Sequence, residues 1–182
     1  MNNPFYDVRQ LLCNDQLLAD LQVYIKLIAQ YILEAKQANK IVSIFGNGGS
    51  AADSQHWAAE LVCTYRSRQR SPYPAVALTS NSSVLTAWPN DFEYESVFMR
   101  QVRAFSPVNG LSIGLSTSGR SMNVLAALQE AKKNCTRTVL ISGNGREELA
   151  DVNLHVRFPT TDTPAVQTLT QMLYHGVCEI LE

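Results

Sequence analysis

The sequence has little of what marks exported, membrane-spanning or polyanion-binding proteins. Its four cysteines include no Cys-x-x-Cys pair, and this favours reduced thiols over a structural zinc site or a redox couple. No apolar run reaches the roughly 18 residues of a membrane span, and Asp7 and Arg9 interrupt the stretch where a signal peptide is apolar. With 15 basic and 16 acidic residues, the chain has no excess charge to attract nucleic acid. We therefore expect a cytoplasmic protein that binds neither membranes nor, as its main partner, nucleic acid.

What the 182 residues do contain is enough apolar sequence for one core. Apolar residues make up 46% and charged residues 17%, which is typical of a folded chain rather than a disordered one. The length fits one domain better than two. We expect a single domain over residues 1–182, with an N-terminal helical segment over 1–39 and an α/β core over 40–182.

Strand and helix patterns alternate along the chain. Short β-branched runs predict strands over 41–45, 74–78, 111–115, 138–141 and 154–158. Apolar residues at three- and four-residue steps predict helices over 15–39, 50–65, 82–87, 93–104, 121–134 and 163–181. This alternation predicts an α/β fold with a mostly parallel sheet and helices on both faces.

A glycine-rich loop, Gly46-Asn47-Gly48-Gly49, follows the first predicted strand, and Ser50 suits the N-cap of the next helix. Ligands of open parallel sheets bind beyond the carboxyl ends of the strands, where exposed amides favour a phosphate or a sugar hydroxyl. One alternative is a tight connection with no ligand. Another is a dinucleotide fingerprint formed by Gly46, Gly48 and Ala51, but this requires an acidic residue near the end of the second strand, where the chain has Leu78-Thr79-Ser80-Asn81.

A hydroxyl-rich loop, Ser116-Thr117-Ser118-Gly119-Arg120-Ser121, follows the third predicted strand and precedes a helix. Hydroxyls and amides at a helix N-terminus can bind a phosphate monoester without a lysine. The alternative is a serine-rich connection in which Ser121 acts only as an N-cap. Because this loop and the glycine loop both follow strands of one sheet, we expect them at the same crevice.

Metal-type ligands occur on two predicted helices. His56 and Glu60 are four residues apart, and Gln167 and His175 are eight apart, so each pair shares a helix face. Two imidazoles, a carboxylate and an amide oxygen suit a divalent ion of the zinc class. The alternative is that these histidines are ordinary packed or surface residues, as we expect for His155, which lies in a predicted strand without a partner at ligand spacing.

A basic cluster, Arg66, Arg68 and Arg70, follows the second predicted helix. It predicts either a patch for a substrate or partner, or a solvated helix end. The composition of the Asn90-Asp91 pair, after Trp88-Pro89, favours a turn.

Several of these motifs together resemble the phosphoheptose isomerase branch of the sugar isomerase (SIS) fold. They are the segment from Gly46 to Val62, the Asn90-Asp91 pair, the hydroxyl-rich loop and the Gln167/His175 pair. The resemblance implies an SIS-type three-layer sandwich preceded by a long N-terminal helix. It also implies an isomerase that interconverts sedoheptulose 7-phosphate and D-glycero-D-manno-heptose 7-phosphate. The implied assembly is a cytoplasmic homotetramer with zinc in sites at the subunit interfaces.

The resemblance also assigns roles to residues. The implied zinc ligands are His56, Glu60, Gln167 and His175. The implied substrate contacts are Asn47, Gly48, Gly49, Glu60, Asn90, Asp91, Ser116, Thr117, Ser118, Ser121 and Gln167. Because aldose–ketose isomerisation passes through an ene-diol, the site needs an acid and a base, and we assign these catalytic roles to Glu60 and His175.

Two alternative functions remain open at the level of the sequence. The chain departs from the usual pattern of the family at Thr64, Ala165 and Thr168, so an isomerase of another sugar phosphate is one alternative. The other is a non-catalytic SIS protein that binds a phosphosugar or a partner, as the replication-initiator-associating proteins do. That group lacks the histidine of the last helix, so His175 favours the enzyme.

Overall fold

The computed structural model describes residues 6–105, 110–145 and 151–182. Residues 1–5, in the predicted N-terminal helical segment, and 106–109 and 146–150, in the predicted α/β core, lie outside the described residues. The described strands are β1 Val42–Gly46, β2 Ala75–Ala77, β3 Leu111–Ser116, β4 Arg137–Ser142 and β5 Leu154–Arg157. The helices are α1 Tyr6–Leu12, α2 Asp15–Gln37, α3 Gly49–Val62, α4 Ser82–Asp91, α5 Val97–Phe105, α6 Met122–Lys133 and α7 Thr163–Ile180, with a 3-10 turn at Tyr94–Ser96.

The five strands form one parallel sheet in the order β2-β1-β3-β4-β5. The predicted α/β fold with a mostly parallel sheet is confirmed. At the carboxyl ends of the two central strands, Gly46 of β1 pairs with Leu115 of β3. The glycine loop and the hydroxyl-rich loop therefore leave the sheet side by side, as the sequence predicts.

Helices cover both faces of the sheet. On one face, α2, α3 and α7 bury an apolar cluster that includes Ile28, Trp57 and Leu173. On the other face, α5 and α6 bury a second cluster that includes Phe98 and Leu128. Consequently α3, which follows the glycine loop, and α6, which follows the hydroxyl-rich loop, lie on opposite sides of the sheet. Among the described residues, no helix combines the length and the apolar character needed to cross a membrane.

Some predicted element ends were wrong. The helix after the glycine loop begins at Gly49 with Gly48 in the N-cap position, so Ser50 is a buried helical residue rather than the cap. That helix ends at Val62, before the predicted end at residue 65. The helix predicted over 93–104 is a 3-10 turn followed by α5.

The Asn90-Asp91 pair is helical, and its assignment to a turn was wrong. Helix α4 starts where the Asn81 side chain accepts a hydrogen bond from the amide of Val84, and it continues through Pro89 to Asp91. A proline inside a helix removes one amide donor. Pro89 therefore cannot donate to the carbonyl one turn earlier, and the helix ends two residues beyond it.

The buried thiol of Cys178 predicts a loss of stability at alkaline pH. Burial raises the pKa of Cys178 to about 12, and the nearby Glu60 acts in the same direction. An unfolded thiol loses its proton near its ordinary pKa of 9.0, so the unfolded state holds fewer protons than the native state above that pH. We expect the free energy of unfolding to fall by about 1.4 kcal/mol between about pH 8 and 10.

Urea unfolding at the two pH values measures this change. In Cys178→Ala, which has no thiol to titrate, we expect the decrease to shrink even though the variant is less stable at both pH values. Cys135→Ala is the matched control, because Cys135 is an exposed free thiol. An unchanged decrease in Cys178→Ala would assign the alkaline loss to other groups.

Candidate metal and phosphosugar site

Helices α3 and α7 bring three of the four predicted metal ligands together. One ligand atom from each of His56, Glu60 and His175 lies within 4.8 Å of the others. His56 Nε2 and Glu60 Oε1, one helical turn apart, are separated by 3.0 Å. The ring centroids of His56 and His175 are 5.4 Å apart. Two imidazole nitrogens and a carboxylate oxygen at this spacing are a donor set that suits one divalent ion.

A buried tyrosine orients His56 through the Nδ1 side of its ring. Tyr174 Oη lies 2.8 Å from His56 Nδ1, on the opposite side of the ring from Glu60. Tyr174 is held in turn by the fully buried Trp57, whose ring stacks on it at 5.5 Å and 19°. A hydrogen bond to the second ring nitrogen of a histidine fixes its orientation and leaves the other nitrogen free for a ligand. Tyr174 was not predicted as part of the site, because the only indication of it in the sequence is its position beside His175.

The electrostatics of the group favour a neutral His175. Burial lowers the pKa of His175, the nearby His56 lowers it further, and Glu60 opposes both effects. An imidazole that stays neutral can accept a proton or bind a metal through its free nitrogen. One turn before His56, burial raises the pKa of Asp53, and His56 opposes that shift.

Gln167, the fourth predicted ligand, lies beside the glycine loop. Its side-chain amide is so close to Gly49 that a Cβ atom on that glycine would overlap Gln167 Nε2. Along α7, Gln167 precedes His175 by eight residues, roughly two turns. The amide therefore lies against Gly49 at the start of α3, and its roles as ligand and substrate contact stay predictions.

The glycine loop has a backbone that requires glycine at one position. Gly48 has φ 56° and ψ −122°, where a residue with a Cβ atom is strained even though nothing lies within 4 Å of the place a Cβ would occupy. The turn is closed by a hydrogen bond from the amide of Ser50 to the carbonyl of Asn47. This turn connects the end of β1 to the first turn of α3.

The hydroxyl-rich loop forms a compact turn at the start of α6. Ser116 Oγ donates to Ser121 Oγ at 2.9 Å, and the amide of Gly119 donates to the carbonyl of Ser116. Ser118 is exposed, and its Oγ accepts from the amide of Arg120. Ser121 occupies the N-cap position, but its side chain makes no capping hydrogen bond. Capping alone therefore does not explain Ser121.

The segment after β4 packs against the backbone of the hydroxyl-rich loop. The amide of Gly143 donates to the carbonyl of Thr117, and a Cβ on Gly143 would lie 2.9 Å from that oxygen. A Cβ on Gly145 would lie 2.8 Å from the carbonyl of Ser118. The backbone of the hydroxyl-rich loop thus rests on two glycines. His155, on β5, is not part of the group formed by His56, Glu60 and His175. Its Nε2 lies 2.8 Å from Ser142 Oγ at the end of β4.

The remaining predicted substrate contacts, Asn90 and Asp91, are exposed at the end of α4. Asn90 Nδ2 donates to Asp91 Oδ1 at 2.8 Å. The connection that follows them reaches the glycine loop through Tyr94, whose hydroxyl donates to Asn47 Oδ1 at 3.0 Å. The segment that carries Asn90 and Asp91 is thereby joined to the crevice.

Comparison with known proteins decides the family. A family model described as the SIS domain matches residues 6–143. The phosphoheptose isomerase of Aliarcobacter butzleri is 44% identical over 150 residues, which are 81% of this chain and 77% of that protein. The phosphoheptose isomerase of Leptospira biflexa is 38% identical over 169 residues, 92% of this chain and 87% of that protein. The chain belongs to the phosphoheptose isomerase family of SIS-domain proteins.

Solved structures of the phosphoheptose isomerase family agree with this assignment. The structure of the phosphoheptose isomerase from Neisseria gonorrhoeae has a TM-score of 0.84 and 31% identity, covering 97% of this chain and 94% of that one. A phosphoheptose isomerase from Francisella tularensis has a TM-score of 0.79 and 26% identity, covering 87% and 84% of the two chains. The predicted SIS-type fold is therefore confirmed.

Two of the three departures from the family's usual pattern lie at the start of α7. Ala165 is buried, and its amide is capped by Asp162 Oδ2 at 3.0 Å. Thr168 is exposed, and its hydroxyl donates to the carbonyl of Pro164. Neither residue interrupts the helix that carries Gln167 and His175.

Proposed function

We propose that this protein is a phosphoheptose isomerase that interconverts sedoheptulose 7-phosphate and D-glycero-D-manno-heptose 7-phosphate. The observation that carries the proposal is the convergence of His56, Glu60 and His175, on α7 and on the helix that follows the glycine loop, in a chain up to 44% identical to proteins of that name. The proposal includes one SIS domain over the chain, a cytoplasmic location and a homotetramer with the sites at subunit interfaces.

The donor set fits a zinc ion. His56, Glu60 and His175 would hold it, with Gln167 as the fourth donor. The fit rests on the mutual spacing of the three ligand atoms and on the hydrogen bond by which Tyr174 fixes the His56 ring. When bound, zinc supplies a Lewis acid that polarises the carbonyl of the sugar.

The side chains of the chain supply the proton transfers. Isomerisation moves a proton between adjacent carbons through an ene-diol, so a base must remove a carbon-bound proton and an acid must serve the oxygens. Glu60, whose carboxylate lies 3.0 Å from His56 Nε2, is the base. His175, whose pKa is lowered by burial, stays neutral and can carry a proton between the two sugar oxygens.

The two loops bind the ends of the substrate. The hydroxyls of Ser116, Thr117, Ser118 and Ser121, together with the amides at the start of α6, bind the phosphate. Asn47, Gly48, Gly49, Asn90, Asp91 and Gln167 contact the sugar.

Metal removal combined with a substrate panel tests the proposal. We expect the purified protein to hold zinc and to turn over sedoheptulose 7-phosphate faster than C5 and C6 sugar phosphates. A chelator should abolish turnover and lower the melting temperature, because an ion bound only by the native state stabilises it, and added zinc should restore both.

Each contrary outcome of this experiment has its own meaning. Full turnover in protein shown to be free of metal would remove zinc from the proposal. Preferential turnover of another sugar phosphate would replace the substrate. No turnover of any substrate, with phosphosugar binding intact in zinc-loaded protein, would identify a non-catalytic binder.

A further inference from the structure

Asn47 is paired with an asparagine that the predicted site does not include. Asn47 Nδ2 donates to Asn123 Oδ1 at 2.9 Å, and Asn123 Nδ2 donates to Asn47 Oδ1 at 2.9 Å. Two amides that exchange hydrogen bonds in this way hold each other in one orientation. Asn123 is only 4% exposed, so its side-chain amide depends on hydrogen bonds within the protein rather than on solvent.

The remaining hydrogen bonds leave the side chain of Asn47 with one free N–H. The hydroxyl of Tyr94 donates to the same Asn47 Oδ1, so that oxygen accepts two hydrogen bonds and is saturated. Asn123 Oδ1 is saturated as well, because it accepts from the amide of Val124 as well as from Asn47. One N–H of Asn47 Nδ2 remains, so the side chain of Asn47 can offer a ligand only a donor.

The network also joins three segments of the site. Asn47 lies in the glycine loop, and Asn123 is the second residue of α6, directly after the hydroxyl-rich loop. Tyr94 lies in the 3-10 turn that follows Asn90 and Asp91. A shift of any one of these segments would break a hydrogen bond to Asn47.

We infer that Asn123 and Tyr94 are positioning residues that hold the Asn47 amide as a hydrogen-bond donor to an oxygen of the sugar. The inference rests on the proposed function, in which Asn47 contacts the substrate. It predicts that a sugar oxygen near Asn47 acts as an acceptor, which every hydroxyl and carbonyl of a ketose can do.

A double-mutant cycle tests this inference. We expect Asn123→Ala to raise KM for sedoheptulose 7-phosphate about tenfold with little change in kcat, because one oriented hydrogen bond is lost. Tyr94→Phe, which keeps the ring, should raise KM about threefold, since Tyr94 is exposed and water can replace its hydroxyl. In an Asn47→Ala background, Asn123→Ala should add nothing, because its effect passes through Asn47.

Inorganic phosphate and a second asparagine provide the controls. Inhibition by inorganic phosphate should be unchanged in Asn123→Ala, since the hydroxyls of the hydroxyl-rich loop are unchanged. Asn134→Ala, at the other end of α6, should leave KM unchanged. Melting temperatures identify any variant that fails to fold. If Asn123→Ala fails to fold, Tyr94→Phe still tests the inference.

Two results would overturn the inference. Additive losses in the Asn47→Ala background, or a weaker inhibition by inorganic phosphate equal to the rise in KM, would overturn the inference in favour of a general structural role. If the wild-type protein shows no turnover, the proposed function fails. The same cycle is then measured as the dissociation constant of the sugar phosphate by calorimetry, where additivity would again overturn the inference.

Discussion

Glu60→Gln is expected to lower kcat for heptose-phosphate interconversion by about three orders of magnitude, within the range typical of a lost general base. The substitution preserves the size of the side chain but removes the carboxylate that we propose as the acceptor of the carbon-bound proton. Glu60 is also in hydrogen-bond contact with His56, so the variant's zinc content must be measured beside its turnover. Binding of inorganic phosphate should survive, because the hydroxyl-rich loop is unchanged.

Glu179→Gln is the matched control for that substitution. Glu179 lies on α7, where its carboxylate pairs with Arg66 at the surface. We expect this variant to keep the turnover of the wild type, since exposed ion pairs contribute little. A Glu60→Gln protein that holds zinc and turns over within about tenfold of wild type would show that another group is the base.

Arg70→Ala is expected to lower the free energy of unfolding by about 2 kcal/mol, the usual cost of removing a largely buried donor of hydrogen bonds to backbone carbonyls. The Arg70 side chain is 6% exposed, with Nε 3.4 Å from Glu182 Oε1. Its guanidinium also donates to two carbonyls in the last turn of α3, those of Glu60 at 2.6 Å and Leu61 at 3.1 Å. Removing Arg70 leaves a helix end without its donors and a carboxylate without its cation.

Chemical denaturation of three arginine variants measures this effect. Arg68 is exposed, and we expect Arg68→Ala to change stability by less than about 0.5 kcal/mol. Arg70→Lys should recover only part of the loss, because one ammonium cannot reproduce a planar fork that reaches two carbonyls and a carboxylate. Equal stabilities for Arg70→Ala and Arg68→Ala would show that the buried contacts of Arg70 contribute nothing.

The sequence could predict the layers of the fold and the place of the two loops. Short β-branched runs such as Val42–Phe45 read as buried strands, and parallel strands place their carboxyl ends together. Helical spacing could also predict that His56 shares a face with Glu60, and Gln167 with His175. It could not predict that α3 and α7 are adjacent, because that depends on which helices cover the same face of the sheet.

Other features were beyond sequence reasoning for identifiable reasons. Local composition makes Pro89 a helix breaker, but the packing of Trp88 on Phe92, with centroids 4.2 Å apart, accompanies a helix that continues past it. The basic cluster was interpreted as a surface patch or a solvated helix end, yet Arg70 is buried by its contacts with α3 and Glu182. Asn123 and Tyr174 were missed because each acts on a residue distant in sequence.

The opposite placement of α3 and α6 has a consequence for how the crevice behaves as acidity changes. Both helices direct the positive ends of their peptide dipoles at the same gap, one from each side of the sheet. Peptide N–H groups and serine hydroxyls do not ionise between about pH 5 and 9. The donors at these two helix starts are therefore the same at every pH in this range, and the second ionisation of a bound phosphate ester, at about pH 6, sets the acidic limit of its affinity for them.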